Sequence, residues 1–467
     1  MFFRTRNVKN MDSLFEKRMA AMLGDEMDAY VQSLEQPLYQ GLRISPRKQD
    51  LEITRNQLPF LELPSRFARN TWYIHGQYGL HPDHLQGLFY LQEPSAGSAV
   101  DVLNPKPNDV VLDLCAAPGS KSTQILDRLD GGFLLSNEID PRRAQILLSN
   151  MERMGAENFM VTNMDSKTLC SQMPSVFDKV LVDAPCSGEG MMKKHEAASD
   201  QWSYPNVLLC AARQKDILKE AWKTLKPGGQ LVYSTCTYAR EENEENVAWL
   251  LETFEDAIQL DVDVEWGRPG FETEGMDASK VRRIFPMDGG EGHFVARFEK
   301  KEQEKDSAPK KTVQKAKAAK PEELPKEASA FLKEQMPHGY QHYHLVRNKD
   351  GVEVYGMNYP FFNLKKGKVL RQGVQIGELL KNRFEPAHAF YLSSSYAQQG
   401  LTKTETTLEQ MDCFYHGHQL EINAPKGYRA LCYRSIPYGF GKSSQSRITN
   451  KLPKGLRLNP GSKILEV

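Results

Sequence analysis

A chain of 467 residues is longer than one ordinary domain, and 40% apolar with 26% charged residues excludes a disordered tail and a fibre. Sixty Lys plus Arg against sixty Asp plus Glu exclude a uniform polycation, but the balance is not kept locally. Residues 300–320 carry eight Lys against three acidic residues and 351–467 carry sixteen Lys plus Arg against eight, while 241–299 is acid-rich, so the C-terminal third predicts a polyanionic partner.

The opening MFFRTRNVKN lacks the apolar run of a signal segment, and no later stretch reaches 18 uninterrupted apolar residues. Leu14, Phe15, Met19, Met22 and Leu23 stand at helical spacing and predict a helical hairpin or a bent helix over 12–35, interrupted near Gly24 and ended by Pro37. Arg43, Arg47 and Lys48 follow on a Gly- and Pro-punctuated stretch, and then comes HPDHLQGLFYLQEPSA at 81–96. His81 and His84 have ligand-like spacing, but without a third nearby His or Cys a capping or surface role is expected over a metal site.

From residue 109 short apolar runs alternate with longer segments. DVVLDL (109–114), GFLLSNE (132–138), NFMVTN (158–163), FDKVLVD (177–183) and GQLVYST (229–235) read as strands, with helices over about 120–130, 141–154 and 205–225, the last ended by LKPGG. Buried parallel strands flanked by crossover helices predict a doubly wound α/β sheet. The acid-rich 241–257 is the next expected helix and EGHFVARFEK (291–300) a late strand. Residues 300–326 have almost no large apolar side chain and read as a linker. Beyond it GVEVYG, KVLRQGVQIGEL, AHAFYLS and RALCYRSIPYGFGK are β-like runs among Gly and Pro, expected in small α/β or barrel-like modules outside the doubly wound sheet.

The run VVLDLCAAPGSKS (110–122) brings a strand to small residues and a Gly before a helix, the way a βα unit offers backbone N–H groups to a ligand. GxGxxG and GxxxxGK[ST] are both missing, which disfavours a nicotinamide dinucleotide and a nucleoside triphosphate. Glu138, at the end of the second strand, is placed for ribose hydroxyls, and Asp165, after the third, for an adenine amino group or an adjacent water. The loop Cys115, Ala116, Ala117, Pro118, Gly119, Ser120 and Lys121 with these carboxylates suits a nucleoside bearing an amino-acid tail, S-adenosylmethionine. Asp183, Pro185 and Cys186 follow the fourth strand and Cys236 the fifth, so the topology should bring the two thiols together beside that cofactor. Cys170 and Cys210 sit in apolar runs and read as core. Methylation of cytosine C5 needs a thiolate to add at C6 first, and Asp183 is the candidate to stabilise charge at the N3/N4 edge. Spacing does not tell which thiol attacks.

LDLCAAPGSK (112–121), NEID (137–140), Asp165 of NMDS, DAPCSGEG (183–190), LKPGG (225–229) and YSTCTYAREENE (233–244) together resemble the NOL1/NOP2/Sun family of RNA 5-methylcytosine methyltransferases. With EQPLYQGLRI (35–44) and 81–96 the resemblance spans about residues 10–300 and points to the bacterial 16S ribosomal RNA branch with a C-terminal extension. It implies a Rossmann-like S-adenosylmethionine methyltransferase sheet over 101–299, a mainly helical N-terminal RNA-binding or accessory region over 1–100, a basic linker over 300–326, and small α/β and PUA-like modules over 327–467. It implies Cys236 as the attacking thiol, Cys186 as the thiol needed for product release, and 115–121, Glu138, Asp165 and Asp183 as cofactor contacts, with Lys121 facing either cofactor or target nucleotide. The segments 365–390 and 429–457 are similar to the region holding that branch's PUA-like RNA-binding module, where Phe390, Tyr391 and Tyr438 are either base-stacking or core aromatics. The implied partner is RNA, 16S rRNA or the small ribosomal subunit, with no obligate protein partner. Transfer RNA as substrate, and a non-catalytic RNA-binding assembly factor, are the alternatives.

Overall fold

The computed structural model describes residues 12–194, 202–302, 325–340, 343–347, 352–360, 362–381 and 383–465. Most of the expected linker lies outside the described residues. Asp12 accepts hydrogen bonds from the N–H groups of Leu14 and Phe15 and starts the helix Ser13–Leu23. Gly24, at φ +54°, turns the chain through a short 3-10 turn into the helix Met27–Glu35, so the expected bend is present. Phe15, Met19, Leu23 and Tyr30 bury against Trp202, Tyr238 and Phe285 of the central unit.

The Pro- and aromatic-rich stretch, to which the sequence assigned no elements, forms an antiparallel sheet: β1 (Gly41–Ile44), β2 (Leu61–Pro64), β3 (Thr71–Ile74) and β4 (Phe89–Gln92), in the order β2-β3-β1-β4. Four-residue strands are too short to show a period of two in sequence. His81 caps the helix Pro82–Leu85 through Nδ1, which accepts from the Asp83 N–H.

The central sheet has the order β10-β12-β9-β8-β5-β6-β7-β15, with β11 paired to β12. Its parallel heart is β5 (Val110–Asp113), β6 (Phe133–Asn137), β7 (Phe159–Asn163), β8 (Phe177–Asp183) and β9 (Leu225–Thr235). β10 (Ala257–Leu260), β11 (Arg282–Ile284) and β12 (His293–Lys300) extend it antiparallel beyond β9. Leu112, Leu135, Val180, Val182 and Leu231 face Ile217, Leu218 and Trp222 of the helix Tyr204–Trp222. On the other face Val111, Leu134, Val161, Leu181 and Val232 meet Val100, Ile125, Leu147 and Met151 from three helices. Both faces are therefore buried, as parallel strands require. LKPGG belongs to β9 and not to the helix end: the helix stops at Trp222, and Gly228 takes φ +76° within the strand.

The expectation that the tail stands outside this sheet is overturned. β15 (Lys368–Gln372) pairs antiparallel with the β7 edge. Gly373, at φ +70°, then turns the chain into β16 (Val374–Leu380), which joins a separate sheet, β13 (His344–Arg347), β14 (Glu353–Met357), β16 and β17 (Arg383–Pro386). AHAFYLS is a helix, His388–Leu392, and not a strand: Phe390 and Tyr391 bury in the core that Ile376, Ala430 and Phe440 share. The last sheet joins β18 (Lys403–Glu405), β19 (Gly427–Tyr433), β20 (Ile436–Ser443) and β21 (Ile448–Asn450) in that order. Tyr438 is core there, so none of the three aromatics is available to stack on a base. Gln86 Nε2 donates to the carbonyls of Tyr433 and Ile436, and Arg371 pairs with Glu152 at 2.6 Å, which seats the tail on the rest of the chain.

Candidate active site

The strand order reverses direction of travel at β5, with β6 and β7 laid to one side and β8 and β9 to the other, so a crevice opens at the carboxyl ends of β5 and β8. β5 ends in Asp113 and leads through Cys115–Gly119 into the helix Ser120–Leu126. Gly119 takes φ +111°, which a side chain would resist, and Asn150 and Arg143 hold the loop by donating to the carbonyls of Pro118 and Ala117. Asp113 is fully buried: Oδ2 accepts from Ser122 Oγ at 2.7 Å, while Oδ1 has no partner. Burial pushes its carboxyl up to about 7. A buried, half-satisfied carboxylate under this loop fits a cationic group such as an α-ammonium, and sequence reading missed it because VLDL looks like plain strand.

The other expected cofactor residues are less free than the sequence suggests. Glu138 is buried at the end of β6, its Oε1 accepting from the Asp140 N–H and its Oε2 lying 3.5 Å from Arg143. Asp165 is exposed and caps the helix Ser166–Cys170, Oδ1 accepting from the Thr168 N–H; the Thr168 side chain first, and this N–H second, lower its pKa. Each keeps acceptor capacity for a ligand hydroxyl or amine. Burial pushes the half-buried Cys115 thiol up.

Cys186 and Cys236, fifty residues apart, meet with their sulfurs 3.3 Å apart. The loops carrying them are pinned by the Gly190 N–H, which donates to the Cys236 carbonyl at 2.9 Å. A Cβ at Gly190 would stand about 3 Å from the carbonyls of Cys236, Glu291 and Gly292, so a side chain there would crowd this approach. Asp183, at the end of β8, accepts from Ser234 through Oδ1 and pairs with Lys121 Nζ through Oδ2 at 2.7 Å. Lys121 thus turns to the thiol side of the crevice. Behind the thiols, buried Glu189 accepts from Trp202 Nε1, Thr237 Oγ1 and the Tyr238 N–H, and Glu242 accepts from Ser187 N–H and Gln214. Burial pushes Glu242 up to about 7.

The two thiols are not equivalent. The hydrogen bond between them lowers Cys236 against the effect of its burial, helped by the nearby His293 and Lys121 side chains, and raises Cys186, which is also buried and near Glu242. When the pair ionises, Cys236 is therefore the thiol that gives up its proton first, and Cys186 keeps its own. Cys170 and Cys210 are buried in packing, as expected.

Four family models match consecutive parts of the chain: the N-terminal domain of 16S rRNA methyltransferase RsmF over 11–94, 16S rRNA methyltransferase RsmB/F over 100–299, the RsmF rRNA methyltransferase first C-terminal domain over 331–393, and the methyltransferase RsmF PUA domain over 402–458. Ribosomal RNA small subunit methyltransferase F of Vibrio parahaemolyticus is 32% identical across 96% of this chain and 98% of its own length, and the protein of that name from Aeromonas salmonicida is 31% identical across 92% and 93%. Among solved structures, a methyltransferase homolog from Pyrococcus horikoshii superimposes with TM-score 0.56 at 27% identity, over 62% of this chain and 96% of that one. NSun6 from Pyrococcus horikoshii shares the fold, with TM-score 0.57 at 20% identity over 64% of this chain and all of that one.

Proposed function

Because this chain belongs to the RsmB/F family of 16S rRNA methyltransferases, we propose that it transfers a methyl group from S-adenosylmethionine to C5 of a cytosine in 16S rRNA through a covalent bond from Cys236 to C6. The single observation that carries this reading is the pair of thiols 3.3 Å apart at the crevice, since methylation of an exocyclic amine needs neither.

Bound S-adenosylmethionine supplies the electrophilic methyl. The residues that would hold it are the 115–121 loop, Asp113 toward the ammonium, Glu138 toward the ribose and Asp165 toward the adenine. Cys236 adds to C6 as a thiolate, which makes C5 electron-rich. Asp183, already neutralised by Lys121, is the group that meets the N3/N4 edge as charge develops there. Once C5 carries the methyl, solvent water takes the C5 proton, the C–H electron pair restores the C5–C6 double bond, and the C6–S bond breaks to release the Cys236 thiolate. Cys186, which keeps its proton, is suited to protonate or shield the departing thiolate, in line with a role in product release. The basic C-terminal modules are the RNA-holding surface, which supplies position and affinity more than sequence reading.

Bisulfite mapping of 16S and transfer RNA from cells with and without the gene tests the reading. The expected result is one or more cytosines in 16S rRNA that lose protection when the gene is absent. Loss confined to transfer RNA would move the substrate, and unchanged protection in both would reject the activity.

A further inference from the structure

β12 runs antiparallel to β9 with Phe294 opposite Thr235 and Val295 opposite Ser234. His293 directly precedes Phe294 and Cys236 directly follows Thr235, so the two residues stand beside each other where this ladder ends. The backbone agrees: a Cβ at Gly190 would touch the carbonyls of both Cys236 and Gly292. His293 is itself held. Its Nε2 lies 3.1 Å from Glu93 Oε2, and both side chains are largely buried. Glu93 is fixed in turn by its other oxygen, which accepts from the N–H and hydroxyl of Ser95 and from the Glu291 N–H. Burial opposes its charge, but the bonds from His293 and Ser95 hold its pKa below the usual value.

We propose that Cys236, His293 and Glu93 form a thiolate–imidazolium–carboxylate array in which His293 keeps Cys236 ionised and Glu93 orients His293. The three residues come from three parts of the chain: the end of β9, the start of β12, and the turn after β4 that leads out of the N-terminal sheet. The thiol proton passes to the imidazole, and the carboxylate balances the positive ring, as in other thiol nucleophiles served by a positioned base. The other charged and titratable groups around Cys236 include Cys186 from the loop after β8, Asp183 at the end of that strand, Lys121 from the helix after β5, and buried Tyr238 two residues on. Asp183 opposes the thiolate and Lys121 favours it, but these two are paired with each other at 2.7 Å. The hydrogen bond with Cys186 lowers Cys236 most, burial opposes it, and His293, itself paired to Glu93, comes next in favour of the thiolate. His293 and Glu93 are positioning residues here, acting on the substrate through the thiol. The N-terminal sheet thereby takes part in the chemistry, through Glu93, besides covering the central unit.

The inference rests on Cys236 as the attacking thiol, but its test needs neither RNA nor cofactor. The rate of alkylation of Cys236 by iodoacetamide is followed against pH by peptide mass spectrometry in the full chain, with buried Cys170 and Cys210 as internal reporters of an intact core. The wild type should give two steps, one as the ion pair forms and one as the imidazolium loses its proton. His293→Gln should leave one step, moved up by about one pH unit, hence about tenfold slower alkylation near neutrality. Glu93→Gln should move it the same way by less, and His293→Lys should restore the low step. A His293→Gln protein with Cys170 and Cys210 still protected and an unmoved Cys236 profile would overturn the proposal. Should that variant open the core, the wild type measured in the Cys186→Ala background decides: two steps support the array, and a single step at an ordinary thiol pH overturns it. Failure here would remove His293 and leave Cys236 as nucleophile, whereas failure of that role would show as methylation surviving Cys236→Ala.

Discussion

Asp113 holds one carboxylate oxygen against Ser122 and leaves the other unmet in a place without solvent. Its folded pKa, about 7, lies above its unfolded value of 3.8, so ionisation opposes folding. The contribution is absent below the unfolded value, grows as pH rises between the two, and is complete above the folded one. Asp113→Asn should therefore make the unliganded protein gain stability relative to wild type between pH 5 and pH 8, as followed by urea denaturation at both. The same variant should weaken S-adenosylmethionine binding by about 1.5–3 kcal/mol in calorimetry, the range for a hydrogen bond to a charged group. Unchanged affinity would remove Asp113 from the cofactor site. At this scale sequence and structure divide unevenly. The meeting of Cys186 and Cys236 was legible, because the strand pattern fixes which loops share the carboxyl edge of the sheet. Asp113 was not, because an acid that ends a strand looks alike whether solvated or orphaned. The His293–Glu93 pair was hidden by two hundred intervening residues.

Among the elements, the chain around Gly373 shows what local pattern leaves open. KVLRQGVQIGEL is one β-like run, yet it divides between two sheets, and the division depends on the left-handed backbone of Gly373. Its N–H donates to the Phe159 carbonyl at 2.8 Å, and a Cβ there would stand 2.7 Å from the Gly356 carbonyl. Gly373→Ala should cost about 1–3 kcal/mol, from strain and the forced shift together, read as a lower urea midpoint. A midpoint equal to wild type would mean that the turn relaxes freely. The parallel strands β5 to β9 were readable as apolar runs because both faces are buried. The β15 edge pairing and the His388–Leu392 helix were not: Phe390 and Tyr391 favour strands by themselves, and burial against the neighbouring sheet decides for helix.

At the scale of the molecule, the four sheets among the described residues are joined by contacts that cross the chain, so cutting it near residue 302 would strip β15 from β7 and free Glu152 from Arg371. A truncation therefore cannot isolate RNA binding. Lys442, Arg447 and Lys454 are exposed, so charge reversal there should leave the described sheets in place. The triple Glu variant should lose RNA affinity at low salt and show a shallower dependence of log affinity on log salt, by roughly 0.7–0.9 for each phosphate contact removed. Equal slopes in a filter-binding series would place RNA elsewhere. The composition made this basic third legible, but not its seat beside the central sheet, since pairing across two hundred residues leaves no local trace. The central claim, attack by Cys236 with release helped by Cys186, is tested most directly by trapping. Cys186→Ala incubated with 16S rRNA and S-adenosylmethionine should accumulate an RNA–protein adduct on denaturing gels, mapped to Cys236 by peptide mass spectrometry, while Cys236→Ala and the double variant should give neither adduct nor methylation. An adduct on Cys186 in the Cys236→Ala protein, or methylation that survives loss of both thiols, would contradict it.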